Sequence, residues 1–164
     1  MSDFANLLDG GRRLGPLVAG AMSGVGDPLI LAVVPNGVPV VAGIREFFDA
    51  PVRALLVERS DEGAHIAPMP DLAGRNVIIV DDGVETGTVA RAAIVAMIES
   101  GVESTVLAVP ICSMEAMASL QHRYDSIVTL VRPLIRRDLT WHYSDFDTID
   151  EDEAHRQLGM MPSG

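Results

Sequence analysis

Leu29-Ile-Leu-Ala-Val-Val34 and Val77-Ile-Ile-Val80 are unbroken apolar runs of strand length, free of Gly and Pro. A strand with one wet face alternates polar and apolar residues. An unbroken run needs cover on both faces, which central strands of a parallel sheet receive from flanking helices. Val52-Arg-Ala-Leu-Leu-Val57, Thr105-Val-Leu-Ala-Val109 and Ile127-Val-Thr-Leu-Val131 add three further strands. Helical patterns separate them. Phe4, Leu7, Leu8, Leu14, Val18 and Met22 share a face of a helix spanning Phe4 to Met22, weakened by Gly10-Gly11. Val40, Val41, Ile44, Phe47 and Phe48 follow a helical period that Ala50-Pro51 stops. A helix from near Gly87 presents Ile94, Met97 and Ile98 and ends at Gly101, and another runs from Met114 to Arg123 with Ser113 as its cap. Glu58 to Asn76 reads as a loop or small hairpin. The alternation predicts a three-layer α/β/α domain with a mostly parallel sheet of about five strands and right-handed crossovers.

The 164 residues suit one domain with an acidic C-terminal segment from about residue 145. That segment holds Asp145, Asp147, Asp150, Glu151, Asp152 and Glu153, and reads as a solvated turn followed by a short helix. A net charge of −11 and only seven aromatic rings argue against nucleic-acid binding, which wants a basic face and stacking rings. The apolar stretch from Leu29 to Ile44 is interrupted by Pro35, Asn36, Gly37 and Pro39, so no membrane span is expected. Arg12-Arg13 imitates a twin-arginine export signal, but the apolar part after it is short. The single cysteine, Cys112, excludes an internal disulfide, fits a cytoplasmic setting and is expected to be buried and inert. His65, His122, His142 and His155 lack metal-ligand spacing. All 12 basic residues are arginines.

Sheets of this kind bind ligands at the carboxyl ends of the strands where strand order reverses, here expected between the first and third strands. The third strand delivers Asp81-Asp82 to that edge, followed by Gly83-Val-Glu-Thr-Gly-Thr88 and a helix start. Free N–H groups and the helix dipole favour an anion there, Thr86 and Thr88 add hydroxyls, and Gly87 lets the backbone approach closely. The carboxylates can accept hydrogen bonds from a diol. A ribose 5-phosphate offers both features. The bland alternative is a loop start and helix cap.

This segment resembles the signature of the type I phosphoribosyltransferases: four apolar residues, two acids and a Thr-Gly-Thr loop in a strand–loop–helix setting. Asp9-Gly-Gly-Arg-Arg-Leu14, Pro35-Asn36-Gly37-Val38-Pro39-Val40 and Trp141-His-Tyr-Ser-Asp-Phe146 extend the resemblance to a bacterial subgroup, over about Leu8 to Leu158. It implies transfer of ribose 5-phosphate from phosphoribosyl pyrophosphate to a nitrogenous base, with Mg2+, in a homodimer. Asp81 and Asp82 would hold the ribose hydroxyls. Glu85, Thr86, Gly87 and Thr88 would cradle the 5-phosphate, with Glu85 also assisting proton transfer from the base. Pro35, Asn36, Gly37 and Val38 would wrap the pyrophosphate, joined by Arg59 and more remotely by Arg136 and Arg137. Trp141 and Tyr143 would form a hood over the base.

Two departures from the subgroup matter. Asn36 stands where a basic residue is usual, with one glycine missing, and no lysine supports the loop from Glu58 to Asn76. Both losses remove donors that would stabilise charge on the leaving group. They motivate an alternative: a ribose-phosphate or nucleotide sensing domain without turnover. Further alternatives are an ordinary turn at Pro35-Asn36-Gly37 with Gly37 at positive φ, plain packing for Trp141 and Tyr143, and an unrelated flavodoxin-like phosphate binder.

Overall fold

A computed structural model describes residues 2–164. The chain runs α1 (Leu7–Ala21), β1 (Pro28–Val33), α2 (Gly37–Ile44), β2 (Val52–Leu55), β3 (Val57–Ser60), β4 (Gly63–Ile66), β5 (Asn76–Val80), α3 (Thr88–Ser100), β6 (Ser104–Ile111), α4 (Met114–Leu120), β7 (Ser126–Val131), a 3-10 turn (Leu139–His142) and α5 (Glu151–Leu158). Five strands form one parallel sheet in the order β2-β1-β5-β6-β7, and β3 and β4 form a separate antiparallel hairpin. The order reverses between β1 and β5, which lie side by side with Ala32 opposite Val80.

The apolar runs divide between two cores as the pleat requires. On one face, Ile30 and Ala32 of β1, Ile78 and Val80 of β5, and Val106 and Ala108 of β6 pack beneath α1, α2 and α5. On the other, Leu29, Leu31, Val33, Val77, Ile79, Leu107 and Val109 pack beneath α3 and α4. This is the expected α/β/α sandwich. Among the described residues, no helix is long and apolar enough to cross a membrane.

Several boundaries differ from the sequence expectation. The first helix begins at Leu7, where the Asn6 side chain accepts from Asp9 N–H at 2.8 Å. Phe4 instead lies in extended backbone that exchanges hydrogen bonds with His142 and Ser144. The helix after β1 starts at Gly37 rather than near Val40, because Pro39 sits in the first helical turn, where a missing N–H costs nothing. The strand expected at Thr105 to Val109 continues through Pro110 to Ile111.

The acidic segment is not simply solvated, and this corrects the sequence reading. Phe146, Ile149, Leu158 and Met161 pack on the first core, Ala154 is fully buried, and Asp147 accepts from the Leu7 N–H at 3.0 Å. Its apolar residues are spaced among the acids, so the charge count concealed a docked face.

Candidate functional site

The β1/β5 switch point carries the site. Beyond Val80, Asp81 and Asp82 stand between two adjoining hollows. The first, about 310 Å³, is lined by residues 81–90 together with Arg59 and Leu139. The second, about 380 Å³, runs from the same two acids and Arg59 to Pro35, Asn36 and Glu151. Both hollows therefore share one carboxylate pair and one guanidinium.

Burial, then the charge of Asp82, pushes the Asp81 carboxyl well above the usual carboxylate range, with Arg59 offsetting part of this. Asp82 is also raised, chiefly by burial, and is partly relieved by hydrogen bonds from Asp81 and the Asn36 amide. Such a pair shares a proton readily and suits hydroxyl partners. Asp82 N–H also donates to Asp81 Oδ1 at 2.8 Å, which orients the Asp81 carboxylate against the backbone of its neighbour.

The loop after the acids is pinned from below. Val84 N–H donates to Ile111 O at 2.8 Å, Ser113 N–H donates to Val84 O at 3.0 Å, and Ser113 Oγ donates to Glu85 O at 2.7 Å. The N–H groups of Glu85, Thr86 and Gly87 have no hydrogen-bond partner among the described residues, as an anion cradle requires. Gly87 caps α3 at φ 86°, a left-handed conformation that glycine adopts without strain. The exposed Thr86 and Thr88 hydroxyls are 3.2 Å apart at the rim.

Arg91 was missing from the sequence reading. One turn into α3, its Nη1 donates to Thr86 O at 3.0 Å and to Ser119 Oγ at 3.4 Å, bracing the cradle from behind. Its offset of four from Gly87 was the available signal, since a helix brings such residues together.

Glu85 turns towards the 3-10 turn, where its Oε1 accepts from Leu139 N–H at 2.7 Å. Leu139, not an aromatic ring, overhangs the first hollow. This corrects the expected hood. Tyr143 is only 3% exposed, its ring lies between Phe4 and Phe146, and its hydroxyl donates to Asp82 O at 2.7 Å. It cannot stack on a ligand, and it braces the acid pair instead. Trp141 is half exposed, with the Arg137 guanidinium 4.5 Å from its ring centre, and lines neither hollow.

Of the loop after β1, Pro35 and Asn36 line the second hollow, whereas Gly37 and Val38 are buried beneath it. Gly37 does not have positive φ. It is needed because a Cβ would lie 2.5 Å from Val80 O. Asn36 lies beside Asp82, where its amide helps to hold that carboxyl down, and its Oδ1 accepts from Ile149 N–H at 3.3 Å. Arg59, exposed on β3, is the one cation lining either hollow among the described residues, and Arg136 lines neither.

Among the described residues, no group of three or more His, Cys, Asp or Glu converges to hold a metal. The hard oxygens of Asp81 and Asp82 fit magnesium in another way, as an ion carried mainly by ligand phosphates and by one or two carboxylates through water.

No family model matches the chain. Two Mycobacterium tuberculosis proteins, each named "putative phosphoribosyl transferase", are 35% identical to it over 83 residues. The match covers 51% of this chain and 19% of those proteins. TT1426 from Thermus thermophilus superposes with a TM-score of 0.84 at 22% identity, over 99% of this chain and 100% of its own. A purine phosphoribosyltransferase from Pyrococcus horikoshii gives 0.57 at 19%, over 82% and 99%. A Neisseria gonorrhoeae protein with bound ppGpp gives 0.59 at 16%, over 94% and 92%. These structural likenesses concern the fold. What this chain shares with them is the phosphoribosyltransferase-like fold and, over half of its own length, a sequence match to proteins so named.

Proposed function

We propose that the protein is a phosphoribosyltransferase that moves ribose 5-phosphate from phosphoribosyl pyrophosphate to a nitrogenous base. The observation that carries this reading is the arrangement of two hollows around one acid pair, with an amide cradle on one side only. In this reading the 5-phosphate lies on the N–H groups of Glu85, Thr86 and Gly87 with the Thr86 and Thr88 hydroxyls. Asp81 and Asp82 take the ribose hydroxyls, braced by Tyr143 and Asn36. The leaving pyrophosphate lies towards Arg59 and the Pro35–Asn36 edge.

The bond from C1 to the pyrophosphate oxygen breaks and its electron pair leaves on that oxygen. A lone pair of the base nitrogen forms the new bond to C1, and the nitrogen gives up its proton. Glu85, oriented by Leu139 N–H, is the proposed acceptor of that proton. Magnesium, held through water by Asp81 and Asp82, would neutralise charge developing on the leaving group. The same reading expects a cytoplasmic homodimer.

The test is a melt followed by a turnover screen. Phosphoribosyl pyrophosphate with magnesium should raise the melting temperature, and Asp82→Asn should abolish the rise. Pyrophosphate release should follow with at least one purine or pyrimidine base. The absence of any shift at millimolar ligand would refute the reading.

One observation favours a second reading. Asn36 Oδ1 is taken by Ile149 N–H, and Arg59 is the single cation in the second hollow for the leaving group. A domain that binds a pentose phosphate or nucleotide without turnover fits that arrangement. It predicts a thermal shift with ribose 5-phosphate but no pyrophosphate release with any base.

A further inference from the structure

The two hollows share Asp81, Asp82 and Arg59, and the second gains its third carboxylate from the C-terminal segment. Glu151 is the first residue of α5 and lines the second hollow beside Pro35 and Asn36. Its position is firmly set. Asp150 caps the helix by accepting from Glu153 N–H at 2.8 Å, Ala154 is fully buried, and Ile149 N–H is held by Asn36. Among the described residues Glu151 makes no salt bridge. The second hollow therefore has three carboxylates, Asp81, Asp82 and Glu151, facing one guanidinium, Arg59. A proton shared across the aspartate pair would still leave it net negative. The first hollow also holds three carboxylates, Asp81, Asp82 and Glu85, but Glu85 is drawn onto Leu139 N–H and the hollow offers unpaired amides and hydroxyls to an anion.

We infer that Glu151 is a specificity-determining residue that sets the charge accepted at C1 of the sugar. It makes the metal-free site select a 5-phosphopentose with an uncharged C1 substituent, as in a nucleoside 5′-monophosphate, over one with a C1 pyrophosphate. The inference rests on the phosphoribosyl reading and adds a substrate-class ranking to it. A multiply charged pyrophosphate meets like charge there, from the part-buried Asp81 and Asp82 and from Glu151 at the rim. A hydroxyl or a neutral base meets no such repulsion. With magnesium present, the pyrophosphate arrives largely neutralised and the discrimination falls away.

The test is titration calorimetry in EDTA with ribose 5-phosphate, adenosine and guanosine 5′-monophosphates, and phosphoribosyl pyrophosphate. Ribose 5-phosphate or one of the nucleotides should bind about 10-fold more tightly than phosphoribosyl pyrophosphate, and magnesium should close that gap. Glu151→Gln should narrow the metal-free gap by about 5-fold. Glu151→Asp, which keeps the charge, should preserve it. Asp152→Asn alters net charge equally but lies outside the hollow, and should also leave the gap intact. Equal or tighter metal-free binding of phosphoribosyl pyrophosphate would overturn the inference, as would equal effects of Glu151→Gln and Asp152→Asn. In either case, binding of ribose 5-phosphate would leave the phosphoribosyl reading standing. Failure of every ligand in every arm would overturn both.

Discussion

Gly37→Ala tests the construction of the switch point directly. A Cβ there would lie 2.5 Å from Val80 O, 3.3 Å from Val80 C and 3.4 Å from Asp81 Cα. Ordinary contact begins near 3.4 Å, so the start of α2 and the end of β5 would have to separate by about 0.9 Å. Both surfaces are backbone, and no rotamer change can relieve the clash. Overpacking costs about 1–3 kcal/mol, and the absence of a flexible partner puts this case near 3. At roughly 2–4 °C per kcal/mol for a chain of this size, the melting temperature should fall by about 6–12 °C. The same displacement pushes on the backbone of Val80 and Asp81, which carries the acid pair, so affinity for ribose 5-phosphate should drop about tenfold. Differential scanning calorimetry and titration calorimetry read the two effects. Gly20→Ala is the control: its Cβ meets nothing within 4 Å, and alanine favours the helix by about 0.5–1 kcal/mol, so it should melt slightly higher. The close-approach argument fails if Gly37→Ala melts within about 1 °C of the parent.

Asp81→Asn should stabilise the free protein at pH 8 while removing its response to ligand. The folded carboxyl is raised above its ordinary 3.8, so the folded state keeps a proton that the unfolded chain has lost. Stability therefore falls as pH rises from about 4 through the folded value, and the cost is fully present above it. Melts from pH 4 to pH 8 should show the variant's advantage growing with pH; a gap independent of pH would contradict this. Tyr143→Phe removes the 2.7 Å bond to Asp82 O and should cost about 1–2 kcal/mol, read as a lower denaturation midpoint at unchanged slope. Cys112 is buried and its thiol is pushed up to about 11 by that burial, so a thiol reagent at pH 7 should react only after denaturant is added. Rapid labelling of the native protein would contradict that burial.

The sheet and the acid–loop–helix segment were legible because their causes are local. Unbroken apolar runs such as Val77 to Val80 have few ways to fold, and Gly87 before an apolar helical period marks a helix start. The ligand-facing details were less legible because they depend on residues distant in sequence. Nothing near Tyr143 indicates that its hydroxyl meets Asp82 O, 61 positions away. Aromatic residues near a pocket suggest stacking, yet Phe4 and Phe146 enclose this ring. Glu151 was hidden by its own neighbourhood, since a run of four acids reads as surface until Ile149 and Ala154 are seen to dock. Asn36 stands out in the sequence by its place between Pro35 and Gly37. Its bond to Ile149 N–H, 113 positions away, lay beyond any sequence pattern.

The bond from Tyr143 to Asp82 O and the bond from Ile149 N–H to Asn36 also bear on how the protein opens. Residues near both ends and in the middle of the chain must be docked at once for the cavity to exist, so a chain with either end detached has no competent site. A bound pentose phosphate should therefore slow hydrogen exchange even at amides of β2 and β7, far from the contact, wherever those amides exchange through large-scale opening. Amides that exchange by local fraying at the surface should keep their rates. Ligand-dependent exchange would thus separate whole-molecule opening from partial opening, residue by residue.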